Sequence, residues 1–226
     1  MSVRSIDFVE YCEILCFLLF YRNTKDIHLS KSLSWFLRHG AVQDGFQLSP
    51  EGYIEITKLL SHKTFKGKYT LADIERVVLN NDKQRFKLRL HPTTQELVIK
   101  ANQGHTISEV STAELIPILE PIYSTVIHGT YLRCWTQIKA EGLCRMKRQH
   151  IHFAKGTPAD KTIVSGLRHN AQIYIYVDLA KALAEGIKFY ESENGVILTS
   201  GNMKGYLEPK YFVKVVNTKS GEQLHP

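Results

Sequence analysis

"QRFKLRLHPTTQELVIKA", residues 84–101, decides how the first half of this chain is read. Apolar and polar residues alternate through two short runs, and Pro92-Thr93-Thr94 stands between them. Period-two alternation around a turn predicts a β-hairpin. Working back from it, "LADIERVVLNN" (71–81) has helical spacing, with Thr70 placed as its cap and Leu71, Ile74, Val77 and Val78 on the inward face. "PEGYIEITKLL" (50–60) reads as a turn, a short strand through Tyr53, Ile54 and Ile56, and the start of a helix. "LSKSLSWFLRHG" (29–40) puts Leu29, Leu33, Phe36 and Leu37 on one helical face, with Gly40 as its stop. Three helices followed by a hairpin suggest a winged-helix module. Such modules bind nucleic acid or protein, so the fold alone does not give the function.

Working forward, "ISEVSTAELIPILEP" (107–121) reads as a connector, and the pattern then changes. "IYSTVIHGT" (122–130) is a strand running into a glycine turn, and "YLRCWTQIKAEGL" (131–143) is an amphipathic helix closed by Gly142. "HIHFAKG" (150–156) is a strand end, "AQIYIYVDLAKALAEG" (171–186) a strand then a helix, and residues 194–216 supply two or three more strands. The expected class is α+β. The expected organisation is an N-terminal extension over 1–28, a first unit over 29–106, a connector over 107–121 and a second unit over 122–226.

Composition sets wide bounds. The 226 residues are 43% hydrophobic and 23% charged, so a packed core is expected. Lys and Arg outnumber Asp and Glu by 29 to 22, an excess that permits a polyanionic partner without demanding one. Cys12, Cys16, Cys134 and Cys144 match no zinc or disulfide spacing and read as reduced thiols. An intracellular protein is expected from them, cytoplasmic or nuclear. The apolar run Val9–Tyr21 is short for a bilayer, and Glu10 and Glu13 interrupt it. It reads as a packed helix or an extension rather than a signal peptide or a membrane span.

Four clusters carry residues suited to chemistry. They are Arg38-His39, Arg85 at the opening of the hairpin, "NQGHT" (102–106) at its far end, and "RMKRQHIHFA" (145–154). Each has a plain structural reading. A cation at a helix C-terminus is favourable by roughly 0.3–1 kcal/mol without any function. An arginine on a hairpin is commonly a solvated cross-strand partner. His150 and His152 share a strand face that would suit a metal, but no carboxylate or cysteine is placed to complete a set, and no metal is expected. Together, however, several arginines around a histidine match a dianionic phosphate. Arginine grips phosphate oxygens with a planar fork of donors, and histidine moves protons near neutral pH. "HGT" (128–130) adds a histidine, a glycine and a hydroxyl able to hold a ribose and a pyrophosphate.

At these residues the chain resembles the RNA 2′-phosphotransferases. The matching stretches are "LSKSLSWFLRHGA", "DGFQLSPEGYIEITKLL", "NNDKQRFKL", "IKANQGHT", "HGTY", "GLCRMKRQHIHFA", "SGLRH", "ENGVILT" and "LEPKYF", in family order from Leu29 to Phe212. The resemblance implies a winged-helix lobe followed by an ADP-ribosyltransferase-like lobe. It implies a reaction in which an internal RNA 2′-phosphate, as left by tRNA ligation, attacks the nicotinamide ribose of NAD and expels nicotinamide. The ribose 2″-hydroxyl then attacks the phosphate, giving a 2′-OH RNA and ADP-ribose 1″,2″-cyclic phosphate.

The family's catalytic arginines and histidine fall by motif on Arg38, His39, Arg85 and Arg148, with Arg145 and Lys147 as neighbours that could take the last place. The resemblance assigns NAD contacts to Gln103, His105, Thr106, His128, Gly129, Thr130 and His152. It adds Arg168 toward a phosphate, and Asn194 and Gly195 around the nicotinamide. Lys100 and Thr106 depart from the arginine and serine usual in the family. Glu193 is the one carboxylate near this set that could activate an acceptor, and a phosphate acceptor needs none. The expected partners are 2′-phosphorylated RNA and NAD, with no membrane and a monomeric enzyme. Two other readings stay open on sequence: ADP-ribosylation of terminal nucleic-acid phosphates, and a non-catalytic winged-helix nucleic-acid binder.

Overall fold

A computed structural model of the chain describes residues 24–111, 114–157, 166–168 and 170–225. The run Val9–Tyr21 lies outside these residues. The first helix, α1, is described from residue 24 to 35 and passes into a π-helical turn, Phe36–Gly40. Leu29, Leu33, Phe36 and Leu37 are all buried, as the spacing requires. Gly40 does not end the helix through a left-handed backbone. The N–H of Ala41 donates to Phe36 O, five residues back, at 2.9 Å. A Cβ on Gly40 would lie 2.2 Å from the Trp35 ring, so the glycine is there for the indole. The widened turn carries Arg38 and His39, and turns of this kind recur at functional sites.

Next come β1 (Ile54–Glu55), α2 (Ile56–Ser61) and α3 (Leu71–Leu79). Thr70 caps α3 reciprocally: Asp73 N–H donates to Thr70 Oγ1 at 3.3 Å, and Thr70 N–H donates to Asp73 Oδ2 at 3.0 Å. Ile74 and Val77 are buried, but Leu71, in the first turn of the helix, is 40% exposed. The hairpin pairs β2 (Phe86–Leu90) with β3 (Leu97–Ala101), and β1 adds to the other side of β3. A first apolar core, drawn from residues 29 to 101, joins these helices to the three-stranded sheet.

Within the stretch read as a connector, β4 (Ile116–Ile118) forms an edge strand. The chain continues through β5 (Ile127–Thr130), α4 (Trp135–Glu141), β6 (Leu143–Cys144), β7 (Ile151–Phe153), β8 (Ile173–Val177) and α5 (Leu179–Ala184). It ends with β9 (Phe189–Glu191), β10 (Ile197–Thr199), β11 (Tyr206–Leu207), β12 (Phe212–Asn217) and β13 (Gln223–His225). Two antiparallel four-stranded sheets, β4-β9-β10-β7 and β13-β12-β8-β5, contribute to one second core that includes Phe153, Ile173, Ile175, Phe189, Ile197 and Val215. The class is mixed α+β, as expected.

Gly129 is not a turn residue. It sits inside β5 opposite Tyr174, and a Cβ there would be 2.9 Å from Leu167 and 3.0 Å from Ala171. Close approach of Leu167 and Ala171 is what requires glycine. Among the described residues no helix is long and apolar enough to cross a membrane.

Polar bonds tie the two cores together. Gln149 donates its side-chain amide to Ile107 O and Val110 O, both at 2.8 Å, and its N–H to His105 O at 3.0 Å. Asn194 Nδ2 donates to Lys83 O at 2.9 Å, Lys83 Nζ donates to Leu167 O at 3.0 Å, and Lys87 pairs with Glu193 at 2.7 Å.

Candidate active site

The π-helical turn brings Arg38 and His39 to a groove of about 900 Å³, whose walls include Ser34, Trp35, Asn81, Lys83 and Arg85. Arg38 Nε and Nη2 are buried without any hydrogen-bond partner. A buried donor left unpaired is costly, and a charged one more so. Burial, then Arg148, then Arg85 lower the Arg38 guanidinium to about 10. The charged neighbours that act on it are therefore cations. Gly104, at φ +90°, lets the backbone pass beside this side chain: a Cβ there would sit 3.4 Å from Arg38 Nε.

Arg85 is held at the foot of β2. Its N–H and Nη1 donate to Asn81 Oδ1 at 3.1 and 3.2 Å, and its carbonyl accepts from Asn102 N–H at 2.9 Å. Burial holds its guanidinium below the usual range. Arg148 is an exposed residue in the turn before β7. Of the three cations in this segment, it is Arg148 that acts electrostatically on Arg38 and His39. Arg145 serves it from behind, donating Nη1 to Arg148 O at 2.8 Å. His39 Nδ1 lies 3.0 Å from Thr106 Oγ1. Burial, then Arg38, then Arg148 lower its pKa, so the ring is neutral at pH 7.

Arg148 also connects this group to a second one. It lies within electrostatic reach of Arg168, His128 and His152. His128, on β5, has Nδ1 2.9 Å from His152 O. Since a carbonyl only accepts, His128 donates from Nδ1 and keeps Nε2 as an acceptor. His152 Nε2 is buried without a partner. Burial depresses both rings, His152 well below the ordinary imidazole range. Thr130 is buried beside Gly129 on β5. Arg168 lies over the Tyr131 ring, 5.5 Å from its centroid, a partner that the sequence reading did not single out.

Other assigned residues fall elsewhere. Gln103 and His105 line a separate cavity of about 30 Å³ with Glu51, Lys100 and His150, room for water rather than a sugar. Burial first, then Arg38, push His105 down to about 3. Lys100, lowered to about 8 mainly by burial, pairs with Glu114 and sits 5.0 Å from the Tyr53 ring centroid. The amide of Asn194 is spent on Lys83 O and on accepting from the Ser192 hydroxyl at 2.8 Å. Gly195 turns beside Lys155, which pairs with Glu191. Among the described residues no three His, Cys, Asp or Glu side chains gather as a metal site.

Three guanidinium groups around a neutral imidazole are suited to a phosphate ester, the class of substrate on which such an enzyme acts. The chain belongs to the RNA 2′-phosphotransferase, Tpt1/KptA family, whose model matches residues 24–201. It is similar to tRNA 2′-phosphotransferase 1 of Danio rerio, 43% identical over 199 residues, which are 87% of this chain and 88% of that protein. It is 42% identical over 204 residues to tRNA 2′-phosphotransferase 1 of Homo sapiens, covering 89% of this chain and 78% of that one. The tRNA 2′-phosphotransferase of Saccharomyces cerevisiae is 36% identical over 186 residues, 79% of this chain and 80% of its own.

Proposed function

We propose that this enzyme removes the internal 2′-phosphate from spliced tRNA, consuming NAD and releasing nicotinamide and ADP-ribose 1″,2″-cyclic phosphate. The observation that carries this reading is Arg38, whose Nε and Nη2 are buried without a partner and whose charged neighbours are the cations Arg148 and Arg85. Such an arrangement is unstable unless an anion completes it.

In the first step a phosphate oxygen displaces nicotinamide from the ribose anomeric carbon. The phosphate is already a nucleophile, so Arg38, Arg85 and Arg148 have only to hold it in line. In the second step the ribose 2″-hydroxyl attacks phosphorus, and the RNA 2′-oxygen leaves. The same three arginines stabilise the charge that builds on the phosphoryl oxygens. His39 takes the proton of the attacking hydroxyl and returns it to the departing oxygen. The dinucleotide is read against His128, Gly129, Thr130, His152 and Arg168, where the unpartnered Nε2 of His152 suits a ribose hydroxyl and Arg168 suits a phosphate. Gln103, His105, Asn194 and Gly195 are read as shaping the seam rather than touching NAD.

We assign the unit built on the first core to the winged-helix type, from its helix-strand-helix-helix-hairpin order and three-stranded sheet. The second, with its two four-stranded sheets, is assigned to the ADP-ribosyltransferase type. The test is to incubate the purified protein with an RNA bearing one internal 2′-phosphate, with and without NAD. Conversion to 2′-OH RNA and the cyclic phosphate only when NAD is present is expected. No conversion, or a reaction that stops at ADP-ribosylated RNA, overturns the proposal.

A further inference from the structure

Thr106 entered as an NAD contact, yet its hydroxyl is bound inside the protein. Oγ1 lies 3.0 Å from His39 Nδ1 and 3.3 Å from Arg38 O. The N–H of Thr106 donates to the same carbonyl at 2.9 Å. The three groups therefore form a closed unit at the end of the π-helical turn.

A hydroxyl has one proton to give, and the Arg38 carbonyl can only accept. If the Thr106 proton goes to Arg38 O, the hydroxyl lone pairs face His39, and Nδ1 must donate. Both hydrogen bonds are then made. If the proton goes to Nδ1 instead, the contact between Oγ1 and Arg38 O has no proton, and one bond is lost. One hydrogen bond amounts to a roughly fivefold preference for the first arrangement. We propose that Thr106 is a positioning residue which holds His39 as its Nδ1-protonated tautomer and leaves Nε2 as the atom that exchanges the proton.

This rests on the second step described above and adds a specific advantage to it. Nδ1–H donates to Thr106 in neutral imidazole and in imidazolium alike. The ring can therefore accept the 2″-hydroxyl proton at Nε2 and pass it to the RNA 2′-oxygen without turning the threonine hydroxyl. In the opposite tautomer, Nε2 already carries its proton and cannot act as the base. The charged and titratable groups facing the ring are Arg38 beside it, Arg148 from the turn before β7 and His105 from the segment after β3.

The test combines spectroscopy and kinetics on the full chain. Imidazole nitrogens of histidine-labelled protein are observed by long-range ¹H–¹⁵N correlation near pH 7.5, with His39→Gln used to assign the His39 signals. The wild type is expected to show Nδ1 protonated, and Thr106→Val to shift the population toward Nε2–H, while Thr106→Ser restores the wild-type pattern. In single-turnover assays Thr106→Val should slow the second step about tenfold, within the range of general acid–base effects, and leave the first step within twofold. Thr106→Ser should recover most of the rate. An unchanged tautomer in Thr106→Val overturns the proposal. So does a loss confined to the first step or to the KM for NAD, which would return Thr106 to the NAD site. If wild-type protein fails to act on 2′-phosphorylated RNA, the functional reading falls, and the nitrogen spectra still decide the hydrogen bond.

Discussion

Replacing Arg38 by methionine should make the free protein more stable while destroying its activity. Burial first, then Arg148 and Arg85, lower the guanidinium to about 10, which corresponds to roughly 3 kcal/mol of penalty on its charged form. At neutral pH the group stays charged, so the folded protein carries that penalty and the unfolded chain does not. Methionine keeps the length of the stem beside Gly104 and removes the charge and the two unpartnered nitrogens. Arg85 and Arg148 are relieved of one like charge as well. A gain of about 1–3 kcal/mol is expected, or roughly 2–12 °C in Tm for a chain of this size. Differential scanning calorimetry of both proteins measures it. A second arm adds 2′-phosphorylated RNA: the wild type should gain Tm by mass action, and the variant should not. Turnover should fall by about 10²–10³, as for loss of one oxyanion donor. If Arg38→Met melts below the wild type, the guanidinium is satisfied by the fold itself, and the argument for an anion seat fails.

Three further outcomes follow from the same site. His39→Ala should slow the second step more than the first, so that ADP-ribosylated RNA accumulates on a gel; loss of RNA binding with normal turnover of what is bound would remove the role given to the ring. His105 and His150 are held at about 3 and about 4, mainly by burial, whereas unfolded histidine titrates near 6.5. The unfolded chain therefore binds more protons below pH 6.5, and stability should drop by roughly 4 kcal/mol from pH 7 to pH 5 through these two groups; a Tm that stays flat over that interval contradicts their burial as neutral rings. Asn194→Ala removes the donor to Lys83 O, two residues before Arg85, and should cost about 1–2 kcal/mol of stability and raise the KM for RNA. A rise confined to the KM for NAD would put Asn194 back at the nicotinamide.

Local rules made much of the first unit legible. The Thr70–Asp73 cap, the buried face of α1 and the hairpin about Pro92–Thr94 are set by neighbours in sequence, and each forms as its spacing demands. What escaped depends on distant partners. At Phe36–Gly40 the helix widens into a π turn with Trp35 lying over Gly40, and no periodicity announces either. Strands β4 and β9 have three residues each, and alternation over three positions carries little signal. Gly129 looked like a turn because glycine marks turns and close approaches alike, and only the position of Leu167 and Ala171 separates the two. At the site, composition and spacing pointed to a phosphate, and the resemblance named the four side chains. Arg38 and His39 lie on α1's final turn, Arg85 at the start of β2 and Arg148 in a turn of the second unit, so their proximity is a property of the folded seam. Thr106 and Asn194 carried motif-based assignments, while their hydrogen bonds lead to His39 and Lys83.

The central claim is that Arg38, His39, Arg85 and Arg148 surround one RNA 2′-phosphate. A crystal structure with a short 2′-phosphorylated oligonucleotide, grown without NAD so that no step can proceed, addresses it directly. The phosphate oxygens should lie within about 3.2 Å of Arg38 Nε or Nη2 and of guanidinium nitrogens of Arg85 and Arg148, with His39 Nε2 on the side of the RNA 2′-oxygen. A phosphate bound elsewhere, with the Arg38 nitrogens still unpartnered, would contradict the account.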